Sequence, residues 1–184
     1  MMTTVFLIGY MGCGKTTIGS AVATELGVPF TDLDDYIEER CQARIGEIFT
    51  QMGEARFRKI EQQALAEVAH SSQGAVVACG GGTPCYGRNM SLMNSWGLTI
   101  WLRTSAERIA SRLCLPEHKM KRPLIAGKSD EEIYTFVKEE LAKREPFYAQ
   151  AQLQFDSTRI ETASETLVTA RQLAALLAQA QKES

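Results

Sequence analysis

The stretch GYMGCGKTT at residues 9–17 follows the apolar run VFLI at residues 5–8. It matches the pattern G-x-x-x-x-G-K-[ST], in which backbone N–H groups of a glycine-rich turn surround nucleotide phosphates. The glycines allow close approach of the backbone, and the positive end of the following helix adds to the attraction. The alternative is a glycine-rich turn with a surface lysine, but a strand before the turn and a helix after it favour a phosphate loop.

The motif predicts a different role for each of its polar side chains. Lys15 is expected to reach the β- and γ-phosphates, and Thr16 to ligate magnesium. The motif does not say whether the phosphoryl group goes to water, to a second nucleotide or to a small acceptor. The nucleotide-binding residues that it predicts are Gly12, Cys13, Gly14, Lys15, Thr16 and Thr17.

The overall composition excludes several kinds of partner. The 184 residues carry a formal net charge of −2 and are 45% hydrophobic, which is typical of one domain with a core. We therefore expect no nucleic-acid or membrane partner, no bilayer-spanning segment and no signal peptide. Five scattered cysteines without a CxxC pair favour neither zinc nor disulfides. We expect a cytoplasmic monomer that acts on small molecules.

Apolar runs alternate with helical patterns along the chain. Strands are predicted at residues 4–8, 28–31, 75–79, 98–102 and 153–155, with helices between them and after the last. This alternation predicts an α/β fold with a parallel sheet covered on both faces. Ligands of such sheets lie beyond the carboxyl ends of the strands. Because the phosphate loop, residues 32–34 and residues 80–82 all follow predicted strands, we expect them to meet in one crevice.

Asp32 and Asp34 lie two residues apart at the end of the second predicted strand. The period of a strand points both side chains to the same side. One could hold a metal through water while the other accepts the proton of an attacking hydroxyl. The alternative is that Asp34 or Asp35 caps the next helix. We favour the cap for Asp35 and a functional role for Asp34.

Glu54, Arg58 and Glu61 share one face of the next predicted helix. This spacing alone is typical of an exposed row of salt bridges. The neighbouring Phe49 and Phe57 suggest partial burial, although both could belong to the core. An arginine withdrawn from water between two carboxylates would be a rigid fork for a substrate carboxylate.

Glycines and two basic segments complete the candidates. Residues 80–82 are all glycine, which permits close backbone approach to a ligand or forms a flexible loop. The irregular stretch 115–127 contains Arg122 and indicates either a lid over the transferring phosphate or a solvated basic loop. Arg144 lies near a predicted helix end, where interaction with the helix dipole is an equally good interpretation.

Taken together, the chain resembles the shikimate kinase family over nearly its whole length. The matching segments are GYMGCGKTT, DLD (32–34), IFTQMGEARFRKIE (48–61), CGGGTP (79–84), KRPLIAG (121–127) and LAKREPFY (141–148). The resemblance implies a P-loop fold like that of nucleoside monophosphate kinases, with five parallel strands flanked by helices on both faces. It implies a single domain at 1–184, with a substrate-binding helical region at about 33–62 and a lid at about 115–127.

The resemblance also implies the reaction and the roles of residues. The γ-phosphoryl group of ATP would pass to the 3-hydroxyl of shikimate, with Mg²⁺, in the pathway to chorismate and aromatic amino acids. The catalytic residues would be Lys15, Asp34 and Arg122, and the magnesium residues Thr16 and Asp32. The shikimate-binding residues would be Asp34, Phe49, Phe57, Arg58, Glu61, Gly80, Gly81, Gly82 and Arg144. The segment between Arg112 and Arg122 is longer than expected, so Arg112 and Arg159 are both candidates for the adenine contact.

Three other functions would also use a phosphate loop. A gluconate- or nucleotide-type kinase would share the architecture, but the GE-x-x-FR-x-x-E segment and the triple glycine favour a carboxylate acceptor. A non-catalytic ATP-binding regulator would not need the complete set of Lys15, Thr16, Asp34 and Arg58. A GTPase would need an Asp-x-x-Gly turn and an Asn-Lys-x-Asp motif, and the sequence contains neither.

Overall fold

A parallel sheet forms the centre of the computed structural model, which describes residues 3–71, 74–120, 122 and 124–180. The strands lie in the spatial order β2-β3-β1-β4-β5, and each neighbouring pair is parallel. The strands are β1 Val5–Ile8, β2 Phe30–Asp32, β3 Val76–Ala78, β4 Leu98–Arg103 and β5 Leu153–Asp156. The five-stranded parallel sheet predicted from the sequence is confirmed.

Helices cover both faces of this sheet. They are α1 Lys15–Leu26, α2 Leu33–Cys41, α3 Ile45–Ser71, α4 Asn89–Trp96, α5 Ala106–Leu113, α6 Pro116–Lys119, α7 Asp130–Tyr148 and α8 Ala163–Ala180. Successive residues of a strand point to opposite faces. Val5 and Leu7 accordingly pack with α1 and α8, whereas Phe6 and Ile8 pack in a larger cluster with α2, α3, α4, α5 and α7. In the described part of the chain, no helix is long and apolar enough to cross a membrane.

Several helix boundaries differ from the prediction. Helix α3 begins at Ile45, well before Glu54, the first residue of the helical face predicted from the sequence, and its path is broken at Gly53, where φ is 74° and ψ is 167°. Helix α7 continues through Pro146 to Tyr148, so Arg144 lies within the helix and not at its end. The dipole interpretation of Arg144 is thereby weakened, because the helix-terminal field falls off within the last turn.

The start of α2 corrects the strand argument for Asp32 and Asp34. Strand β2 ends at Asp32, so Asp34 is helical and does not follow the two-residue period of a strand. The N-cap is Asp32, whose side chain accepts a hydrogen bond from the backbone N–H of Asp34 at 3.0 Å. The prediction that Asp35 is the cap is therefore wrong.

The described residues of the stretch 115–127, which are 115–120, 122 and 124–127, are more regular than the sequence predicted. They contain α6, and the N–H groups of Ile125 and Ala126 both donate to the carbonyl of Arg122 at 3.0 Å. The Ile125 side chain is fully buried in the larger hydrophobic cluster. The later part of this segment is thus attached to the core.

Candidate active site

The phosphate loop connects β1 to α1 and has the backbone conformation that its glycines permit. Gly12 and Gly14 have φ of 81° and 100°, and Gly14 is the residue immediately before α1. The Lys15 ammonium donates to the carbonyls of Gly9 at 2.9 Å and Tyr10 at 3.1 Å. Within the described residues, no side chain caps the start of α1. Its N–H groups therefore remain available to an anion.

A hydroxyl and a carboxylate meet beside this loop. Thr16 Oγ1 donates to Asp32 Oδ2 at 2.7 Å. Hydroxyl and carboxylate oxygens suit Mg²⁺, which is held in phosphate-transfer sites by one or two protein groups together with substrate phosphates and water. No group of three or more His, Cys, Asp or Glu that could hold a metal ion occurs among the described residues. The residues present therefore fit a magnesium site.

Asp34 lies where the phosphate loop, the start of α2 and the triple glycine meet. The pKa of its carboxyl is raised to about 6, mainly by burial and also by the charge of Asp32, while the charge of Lys15 opposes both effects. A Cβ atom at position 80 would lie 2.9 Å from Asp34 Oδ1 and 3.1 Å from Glu61 Oε1. A glycine at position 80 thus allows the backbone to pass beside both carboxylates. The carboxyl of Asp34 is mainly ionised at neutral pH and can accept a proton.

Arg58 is held from several sides. Its Nη1 lies 2.8 Å from Glu61 Oε2, and its guanidinium lies 5.4 Å and 6.0 Å from the ring centroids of Phe57 and Phe49. The arginine side chain is 15% exposed and the Glu61 side chain 1%, so the pair does not form an exposed salt-bridge row. Glu54 completes the predicted row at 3.3 Å but is largely exposed.

The triple glycine brings its backbone against Arg58. A Cβ atom at Gly82 would lie 2.6 Å from Arg58 Nη2. Glu61 is also fixed from this side, because Thr83 Oγ1 donates to its Oε1 at 2.7 Å. Thr83 is not among the residues predicted from the sequence, although it directly follows the glycines.

Arg144 approaches the same region from α7. Its guanidinium lies 5.2 Å from the centroid of the Tyr10 ring, and its Nη2 lies 3.2 Å from Glu140 Oε2. One helical turn later, Tyr148 Oη donates to the carbonyl of Gly81 at 2.6 Å. Neither tyrosine is among the site residues predicted from the sequence. The available signal was their position, one inside the phosphate motif and the other four residues after Arg144.

The two adenine candidates occupy different positions. Arg112 donates from Nη1 to the Gly12 carbonyl at 3.0 Å and from Nη2 to the Thr158 carbonyl at 2.8 Å, so it joins the phosphate loop to the segment after β5. The side chain of Arg159 is exposed, and its carbonyl accepts from Thr169 on α8 at 2.7 Å. Arg112 is the candidate that lies directly against the phosphate loop.

Arg122 is held within its own segment. Its Nη1 donates to the carbonyl of His118 at 3.0 Å. Burial lowers the pKa of the Arg122 guanidinium, although the group remains a cation. To contact a phosphate, Arg122 would therefore have to give up its hydrogen bond to the His118 carbonyl.

Comparisons with known proteins agree with this geometry. A family model described as shikimate kinase matches residues 11–176. The chain belongs to the shikimate kinase family. Shikimate kinase from Bacteroides thetaiotaomicron is 46% identical over 160 residues, covering 87% of this chain and 90% of the relative. The resemblance stated from the sequence is confirmed.

Solved structures of this family also match. A crystal structure of shikimate kinase from Bacteroides thetaiotaomicron has a TM-score of 0.91 and 43% identity, covering 96% of this chain and 99% of that one. Shikimate kinase from Acinetobacter baumannii in complex with shikimate has a TM-score of 0.79 and 28% identity, covering 97% and 95%. The P-loop fold like that of nucleoside monophosphate kinases is confirmed.

Proposed function

We propose that this protein transfers the γ-phosphoryl group of ATP to the 3-hydroxyl of shikimate, giving shikimate 3-phosphate and ADP, in the pathway to chorismate and aromatic amino acids. The observation that carries the proposal is the convergence of Arg58, Asp34 and the triple glycine beside the phosphate loop. Family membership supports the same reaction. A small carboxylate with hydroxyl groups needs guanidinium partners at one end and a carboxylate base at the other.

The acceptor is held by groups that recognise its functional groups. Arg58, oriented by Glu61 and flanked by Phe49 and Phe57, presents a fixed fork to the shikimate carboxylate. Arg144 supplies a second cation. The backbone of residues 80–82 passes close to Arg58 and Asp34, and so supports the ring hydroxyls.

Proton transfer is assigned to Asp34. Its carboxylate accepts the proton of the 3-hydroxyl while that oxygen bonds to the γ-phosphorus. The bond from the γ-phosphorus to the β,γ-bridging oxygen then breaks, and ADP leaves with that electron pair. With a pKa of about 6, Asp34 is ionised and sufficiently basic near neutral pH.

The phosphate loop stabilises the charge of the transferring group. Backbone N–H groups at the start of α1 and the Lys15 ammonium face the β- and γ-phosphates. Arg122 approaches the transferring phosphate when the lid at about 115–127 closes and excludes water. Arg112 or Arg159 contacts the adenine side of the nucleotide, and the position of Arg112 beside Gly12 favours Arg112.

Mg²⁺ is proposed as the accompanying metal, held by Thr16 directly and by Asp32 less directly. When bound, it would neutralise phosphate charge. We further propose a cytoplasmic monomer, consistent with five free cysteines and a small, nearly neutral chain. The substrate-binding helical region is assigned to about 33–62.

The direct test is ADP release with magnesium and ATP in the presence of shikimate, quinate, gluconate or AMP. Strong release with shikimate alone is the expected result. Release with AMP or gluconate would keep the phosphate loop but reject the acceptor site. ATP binding without release for any acceptor would favour the non-catalytic regulator.

A further inference from the structure

Tyr10 lies in the phosphate motif, but its side chain is 1% exposed and contacts a different element of the fold. The Arg144 guanidinium of α7 lies 5.2 Å from its ring centroid, within the range of a cation–π interaction. Among the described residues, the buried Tyr10 hydroxyl has no hydrogen-bond partner. The contact with Arg144 therefore uses the ring and not the hydroxyl.

Tyr148, in contrast, makes its contact with the site through its hydroxyl. Its fully buried side chain donates a 2.6 Å hydrogen bond from Oη to the carbonyl of Gly81. Burial raises the pKa of Tyr148 well above its ordinary value, so the phenol keeps the proton that it donates. Its ring centroid lies 5.9 Å from that of Trp101 on β4, which fixes the side chain against the sheet.

These contacts connect the phosphate loop, the triple glycine and helix α7 to one another. Gly81 packs on the phosphate loop, since a Cβ atom there would lie 3.3 Å from the N atom of Met11. Tyr148 ties Gly81 to α7, and Tyr10 returns from the loop to Arg144 on that same helix. The ion-pair partner of Arg144, Glu140, belongs to α7 as well and cannot set the distance between the helix and the loop.

We propose that Tyr10 and Tyr148 are positioning residues that place Arg144 and the Gly81 carbonyl relative to the phosphate loop, Tyr10 through its ring and Tyr148 through its hydroxyl. This inference rests on the proposed role of Arg144 in binding shikimate. The two tyrosines differ in which part of the side chain acts. Removing a hydroxyl should therefore affect one position and not the other.

The test compares Tyr10→Phe, Tyr10→Leu and Tyr148→Phe, with Tyr134→Phe as the matched control. Tyr134 also lies on α7, but its hydroxyl donates a hydrogen bond to Glu107 at 3.1 Å and takes no part in the contacts of Tyr10 and Tyr148. Steady-state kinetics at saturating ATP and magnesium give KM and kcat for shikimate, and calorimetry gives its dissociation constant. The KM for ATP and the thermal midpoint are measured for every variant.

Tyr10→Phe and Tyr134→Phe are expected to match the wild-type protein. Tyr10→Leu should raise the KM and the dissociation constant of shikimate about tenfold while kcat and the KM for ATP stay within about twofold. Tyr148→Phe should lower kcat/KM for shikimate about tenfold, because the half-buried Gly81 carbonyl loses its hydrogen-bond donor. If Tyr10→Leu does not fold, Tyr10→Met, which fills the space with a flexible side chain, replaces it.

Three results would overturn the inference. The first is an equal rise in the KM for shikimate in Tyr10→Phe and Tyr10→Leu. The second is unchanged shikimate binding in Tyr10→Leu, and the third is unchanged kcat/KM for shikimate in Tyr148→Phe. Arg144→Ala separates this failure from failure of the proposed function. If Arg144→Ala leaves shikimate binding unchanged, the assignment of Arg144 itself is wrong. If it weakens binding while the tyrosine variants do not, only the positioning roles are rejected.

Discussion

Arg58 and Glu61 form an ion pair of 2.8 Å in which the carboxylate is almost completely withdrawn from water. Because the other oxygen of Glu61 accepts from Thr83, the carboxylate is fixed on both sides and sets the direction of the guanidinium. An exposed ion pair contributes little, but a buried and oriented arginine is suited to bind a substrate carboxylate. The pair thus gives the proposed acceptor site a preformed cation.

The first prediction concerns Arg58. Arg58→Ala should weaken shikimate recognition by about 3 kcal/mol, roughly a hundredfold rise in KM, because a carboxylate loses a charged partner in a dry site. Arg171→Ala on α8, where the arginine is exposed, is the matched control. Kinetics for shikimate and ATP check the effect. A KM and kcat that barely move would mean that Arg58 serves only the ion pair with Glu61.

The second prediction concerns Lys15. Lys15→Met should reduce kcat by at least about a thousandfold, because the transferring phosphoryl group loses its principal protein cation. Lys138→Met, which changes an exposed lysine on α7, should leave turnover unchanged. Single-turnover measurements of ADP formation separate loss of chemistry from loss of binding. Near-normal turnover in Lys15→Met would remove Lys15 from the mechanism.

The third prediction is a pH dependence set by Asp34. Its carboxyl must be ionised to accept a proton, so kcat/KM for shikimate should fall as the pH drops through about 6. Asp34→Asn should lose about a hundredfold or more in turnover and no longer show this transition. A wild-type profile that is flat across this range would exclude Asp34 as the base.

Stability should have the opposite pH trend at this residue. The folded-state pKa of Asp34 is raised from 3.8 to about 6, so ionisation costs the folded state more than the unfolded state. Asp34 therefore contributes most to the free energy of unfolding below its unfolded pKa. This contribution, on the order of 3 kcal/mol, is lost as the pH rises through about 6. Denaturant unfolding at about pH 4 and about pH 7 should show this difference between the wild-type protein and Asp34→Asn.

The sequence predicts the sheet and the loops that follow it better than the contacts between side chains. Short apolar runs and the phosphate motif locate β1, β2 and β3, whose adjacency in the sheet brings residues 32–34 and 80–82 beside the phosphate loop. Local patterns carry this information because strand period and turn chemistry are local properties.

The roles of individual side chains depend on distant parts of the chain. The sequence period suggested that Asp34 continues a strand, but the cap made by Asp32 starts α2 one residue earlier. The contacts of Tyr10 with Arg144 and of Tyr148 with Gly81 join residues far apart in sequence. No periodicity records such pairs, so they required the folded structure.

The fourth prediction distinguishes the two adenine candidates. Arg112 bridges Gly12 and Thr158, and its buried Nε has no partner among the described residues. Arg112→Ala should therefore raise the KM for ATP about tenfold with little change for shikimate. Arg159→Ala, which changes an exposed side chain, should leave both KM values near those of the wild-type protein. The reverse pattern would assign the nucleotide contact to Arg159.

The last prediction concerns motion of the stretch 115–127. Ile125 is buried in the core and its N–H is bonded to the Arg122 carbonyl, so this end should exchange its amide hydrogens slowly even without ligand. Three of the bulky apolar side chains in the stretch, Leu115, Met120 and Leu124, are exposed, and closure over a nucleotide would cover part of that surface.

Hydrogen exchange measured with and without an ATP analogue should therefore show new protection at residues 115–120 and little change at residues 125–126. Shikimate alone should have a smaller effect, because the proposed lid contact is with phosphate. Arg122→Ala should lower kcat and reduce the nucleotide-dependent protection together, since one guanidinium would serve both closure and charge stabilisation. Exchange at 115–120 that is indifferent to both ligands would show that this stretch is a fixed surface segment and not a lid.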